Sequence, residues 1–196
     1  ASYQNNQDNL KEDLELNNSN LNSVEILRDD TVKETLKPQI LMYIDGITSG
    51  SMGCWSFLLI DSDSCTALLR AGGYRSTNDT RVKIQGCIEA LESLQKNNLS
   101  IELRSRHPEL IQMGVEFLNN TASCIADAPL ELPYLKKLRE CTEEHNIKWR
   151  HIPAELRDTA IIDGLKLAQE SLNLLNEGEK QFIQKRVQGY PVHTLA

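Results

Sequence analysis

The run Gln39-Ile40-Leu41-Met42-Tyr43-Ile44-Asp45-Gly46 sets the reading of the whole chain. Residues 40–44 are all apolar, with no polar position between them, so the segment is not a half-solvated strand. A strand apolar on both faces belongs at the centre of a sheet that is covered on both sides. Asp45 then places one acid where the chain leaves that interior, ahead of a turn carrying Gly46, Gly50 and Gly53. Working outward, residues 54–60 (Cys54-Trp55-Ser56-Phe57-Leu58-Leu59-Ile60) form the next strand. Asp61-Ser62-Asp63-Ser64 has the composition of a hairpin turn, and 65–71 returns as a third strand ended by Gly72-Gly73.

Beyond the hairpins the period changes. Ile84, Ile88 and Leu91 recur at helical spacing, behind a cap drawn from Asn78, Asp79 or Thr80, over 79–96. A short strand, 99–103, and two helices, 109–118 and one starting at Pro133, follow. Residues 147–152 give a fifth strand. Ile161, Leu165, Ala168, Leu172 and Leu175 stripe a helix over 159–175, and 179–187 reads as a short terminal helix. The order predicts an α/β domain with a five-stranded mixed sheet, three antiparallel strands then two parallel, and helices on both faces. Three regions are expected: an Asn-rich acidic arm over 1–36, partly flexible, the sheet domain over 37–176, and a C-terminal helix and tail over 177–196.

Local strings make this order specific. Tyr43-Ile44-Asp45-Gly46 with Ser49-Gly50, the segment Gly72-Gly73-Tyr74-Arg75-Ser76-Thr77-Asn78-Asp79, Arg81-Val82-Lys83-Ile84 with Ile88-Glu89-Ala90-Leu91, His145-Asn146-Ile147-Lys148-Trp149, and Asp163-Gly164-Leu165-Lys166-Leu167-Ala168 occur in sequence. Taken together, over residues 39–175, they resemble the ribonuclease H domain of the ribonuclease HI type. That family cleaves the RNA of RNA–DNA hybrids with two Mg²⁺ ions held by four carboxylates. The resemblance implies remnant acids at Asp45 and Asp163. It places Lys83 and Arg106 where the other two acids stand. The histidine-bearing loop before the last helix is shortened to Pro153-Ala154-Glu155-Leu156-Arg157-Asp158, and the basic handle is absent from 119–131.

Two Mg²⁺ ions roughly 4 Å apart need several anionic oxygens to offset their charge. Two carboxylates facing two cations do not supply them. The expectation is therefore no catalytic residue, no metal and no cofactor, with the cations paired to the surviving acids, Lys83 with Asp45 and Arg106 with Asp163. A rearranged nuclease would have to recruit Asp158, Glu155 or Glu102. His107, His145, His151 and His193 lack metal-ligand spacing.

Composition narrows the function further. The chain has 196 residues, 40% of them hydrophobic, and a net charge of −7. No apolar run is long enough for a membrane span, and the polar start is not a signal peptide. Five cysteines without paired spacing read as reduced, mostly buried thiols of a cytoplasmic protein, with a nuclear location left open. The negative charge disfavours nucleic acid as the main ligand. The sequence thus points to an inactive module that binds a protein partner, through the arm or the helices, in a regulatory or scaffolding role. The alternative is a noncatalytic binder of RNA or RNA–DNA hybrid, gripping phosphate with Arg75, Lys83, Arg104 and Arg106.

Overall fold

The computed structural model of the protein describes residues 37–119, 132–178 and 183–192. The expected N-terminal arm and the loop after the second expected helix fall outside these residues, apart from their bounding positions. Ten elements are described, in the order β1 (Ile40–Ser49), β2 (Met52–Asp61), β3 (Ala67–Tyr74), α1 (Asp79–Glu92), β4 (Ser100–Ser105), α2 (Pro108–Asn119), α3 (Leu132–Glu143), β5 (Asn146–His151), α4 (Thr159–Asn176) and β6 (Ile183–Val187). The strands form one mixed sheet with the spatial order β5-β4-β1-β2-β3-β6. β1 runs antiparallel to β2 and parallel to β4, and β4 is parallel to β5.

β1 is central, as its unbroken apolar run requires. Its side chains alternate between two cores. Met42 and Ile44 pack with Phe57, Val82, Ile84, Ile88, Leu110 and Leu138 under α1, α2 and α3. Leu41 and Tyr43 pack with Leu58, Ile60, Ala160, Ile161 and Leu167 under α4. Helices therefore cover both faces. Both central helices are capped locally: the Asn78 side chain accepts the Arg81 N–H ahead of α1, and Asp158 accepts the Ala160 N–H ahead of α4. Trp55 is in the core, stacked on Phe57 with ring centroids 5.6 Å apart. Trp149 on β5 is half-buried and lies over Gly114 of α2. A Cβ at position 114 would sit 2.3 Å from the indole, so only glycine allows this approach.

One element differs from expectation. The five expected strands are present, but a sixth replaces the predicted terminal helix: Ile183–Val187 pairs antiparallel with the outer edge of β3, from Ala67↔Val187 to Ala71↔Ile183. Its own residues gave a weak signal, since Gln184, Lys185 and Arg186 suit a helix as well as a strand. The open row of N–H and C=O groups along β3 decides the outcome. Gly178, at φ +79°, turns the chain out of α4. Tyr190 then docks back, its N–H donating to the Cys65 carbonyl at 2.8 Å and its ring buried beside α4.

Candidate functional site

The C-terminal end of β4 lies beside the middle of β1. Their parallel register pairs Tyr43 with Arg104, so Asp45 and Arg106, two residues further along each segment, meet just past the ladder. Asp45 is 4% exposed. The Arg106 guanidinium grips both of its oxygens, with Nε 3.0 Å from Oδ2 and Nη2 3.2 Å from Oδ1. His107 Nε2 lies 2.9 Å from Oδ1, and the Gly46 N–H donates to the same oxygen at 2.8 Å. Burial acts to raise the Asp45 carboxyl, but the bonds from His107 and Arg106 outweigh it and hold the group below the ordinary carboxylate range.

Lys83, on α1, does not pair with Asp45 as expected. Its stem is buried and runs close by the Gly46 backbone, where an added Cβ would meet Cγ at 3.2 Å. The ammonium passes outward and binds Asp79 Oδ2 at 2.8 Å and Glu109 Oε1 at 2.6 Å. An aliphatic stem laid along apolar surface with its charge carried to the rim explains the difference. Burial acts to lower the Lys83 pKa, but these two acids leave it raised. The Lys83 contact in turn holds Glu109 below its usual value. Glu109 Oε1 is also 3.7 Å from His107 Nδ1. A continuous string of charged and polar groups, Asp79–Lys83–Glu109–His107–Asp45–Arg106, therefore joins α1, the start of α2, the end of β4 and the middle of β1.

The other expected pairing also changes. Asp163 on α4 accepts the Tyr190 hydroxyl at 2.6 Å. The α4 residues that line the space over Asp45 are Ala160, Ile161 and Gly164. Asp163 lies one position beyond Ile162, which is exposed, and its contact runs toward the C-terminal segment that β6 leads into.

Nor do the four cations of the expected phosphate patch gather in one place. Arg104 is 4% exposed, on the α4 side of the sheet. Its Nη2 lies 2.6 Å from Glu102 Oε2, and its Nη1 donates to the Tyr43 hydroxyl at 2.6 Å. The Tyr43 hydroxyl donates onward to Asp158 Oδ2 at 2.6 Å, and Arg150 reaches Glu102 Oε1 at 3.3 Å. This buried network ties the N-terminus of α4 to β1 and β4, and it occupies Asp158 and Glu102. Arg75 is exposed after β3, and Glu155 is exposed ahead of α4. Of the two expected acid–cation pairings neither forms as drawn, and Arg106 meets Asp45 instead of Asp163. Glu109 is a participant that the sequence reading did not single out, and it gave Asp79 only as a possible helix cap and His107 only as a histidine without metal-ligand spacing. Among the described residues no group of three or more His, Cys, Asp or Glu side chains is placed to hold a metal ion, and no helix is long and apolar enough to cross a membrane.

No family model matches the chain, and no curated protein matches it. Solved structures do. LC9-RNase H1, a type 1 RNase H with the type 2 active-site motif, is 13% identical, with 79% of each chain covered and a TM-score of 0.59. The foamy viral protease-reverse transcriptase, solved in complex with double-stranded DNA, is 10% identical over 68% of this chain and 94% of that chain, with a TM-score of 0.54. RNase H1 of Halobacterium salinarum NRC-1 is 18% identical over 68% of this chain and 97% of that chain, with a TM-score of 0.49. At these identities the likeness is one of architecture. The chain has a ribonuclease H-like fold.

Proposed function

We propose that this domain acts by binding, as a protein-binding regulatory or scaffolding module on a ribonuclease H-like frame, and not by metal-dependent hydrolysis of RNA. One observation carries the proposal: the Asp45 carboxylate is occupied on both oxygens by Arg106 and again by His107. A divalent ion at Asp45 would have to displace a bidentate guanidinium and then sit beside it. Like charges a few Å apart repel by several kcal/mol at an effective dielectric near 20. The second cation, Lys83, holds Asp79 and Glu109, while Asp158 and Glu102, two of the acids that a rearranged site would have to recruit, are held by Tyr43 and by Arg104 with Arg150. The chain's net charge of −7 favours a protein over a nucleic-acid partner.

Two experiments test this. An RNA–DNA hybrid incubated with the full chain and millimolar Mg²⁺ or Mn²⁺ should remain intact, and specific cleavage that Asp45→Asn abolishes would overturn the proposal. Affinity capture with the full chain should recover a partner that is lost when residues 1–36 are removed. Failure to recover one would weaken the protein-binding half alone.

A noncatalytic nucleic-acid role is the second reading. It is favoured by the Arg106 side chain, which remains 35% exposed at the edge of the site while Asp45 fixes its orientation. Salt-dependent retardation of a hybrid or of single-stranded RNA, reduced by Arg106→Ala, supports it. No retardation at low salt and micromolar protein removes it.

A further inference from the structure

We draw no further inference here: the strongest candidate, the open groove between the turn after β2 and the C-terminal end of α1, with Ile40, Leu59, Leu68 and Leu94 along its floor, carries nothing because nothing in the structure shows what covers it.

Discussion

Replacing Arg106 with alanine strands Asp45, and the cost can be bounded from the geometry. Removing one partner of a fully buried ion pair costs about 3–5 kcal/mol, whereas an exposed pair contributes about 0.2–1 kcal/mol. This pair is asymmetric: the Asp45 side chain is 5% exposed and the Arg106 side chain 35%. His107 and the Gly46 N–H remain in the variant and keep part of the carboxylate's hydrogen bonding. The expected loss is therefore about 2 kcal/mol, close to the ~1.5–3 kcal/mol of one hydrogen bond to a charged group. For a urea slope of ~2 kcal/mol/M, the midpoint at pH 7 moves down by about 1 M. The pH dependence gives an independent check. The folded Asp45 carboxyl lies below its ordinary 3.8, so its contribution is present above that value and is lost as pH falls through the depressed one. The wild-type and Arg106→Ala curves should converge as the solution is acidified below about pH 4. In an Asp45→Asn background the same substitution should cost close to nothing, because the partner charge is gone. A variant as stable as wild type at neutral pH, or one whose deficit persists unchanged in acid and in the Asp45→Asn background, refutes the assignment of Arg106 as the counter-ion.

Further outcomes follow from individual contacts. Gly114→Ala forces Trp149 to shift, and overpacking of about 1–3 kcal/mol should exceed the helix-propensity gain of up to ~1 kcal/mol; a urea titration followed by tryptophan fluorescence should show both the lower midpoint and a shifted folded-state emission. Tyr43→Phe removes the donor to Asp158 and an acceptor for Arg104, and should cost about 1–3 kcal/mol in the same titration. Burial and the hydrogen bond to Asp158 push Tyr43 above its ordinary 10.0, and burial with Asp163 does the same for Tyr190. The stability that these two groups contribute is complete below pH 10 and declines as pH rises beyond it; ultraviolet titration should show both ionising late, losing the delay on unfolding. Lys83→Met, which retains a buried stem, should cost under about 1 kcal/mol in urea.

The sequence carried β1 to β5, most plainly the central strands, whose burial is written in residue type. β1 and β2 are apolar on both faces and sit in the middle of the sheet, where each face meets helices. β6 was illegible because its hydrogen-bonding partner, not its side chains, makes it a strand: four of its five residues are exposed. The same division holds at the site. Asp79 lies four residues before Lys83 on one helix, so that ion pair is readable from spacing. Glu109 and His107 are not, because they reach Lys83 and Asp45 only once α2 is packed beside α1 and β4. Which cation meets Asp45 depends on the parallel register of β1 and β4, and a one-residue slip would turn Arg106 to the opposite face.

The two cations neutralise the site in different ways, and partner burial makes the difference. Asp79 and Glu109 have side chains 61% and 59% exposed, so both stay hydrated if the ammonium of Lys83 is taken away. What position 83 contributes to the fold is therefore mainly its buried stem, and methionine supplies one. Asp45 has no such recourse. It sits midway along the central strand with the Ala160, Ile161 and Gly164 side of α4 over it, and without a counter-ion it must either protonate or draw water into the sheet. The chain brings its own cation to this carboxylate: the Arg106 guanidinium reaches both Asp45 oxygens. The stability cost at position 106 should accordingly exceed that at position 83, although Lys83 is the more buried of the two. The opposite ranking in urea would mean that burial of the cation, and not of its partner acid, governs the site.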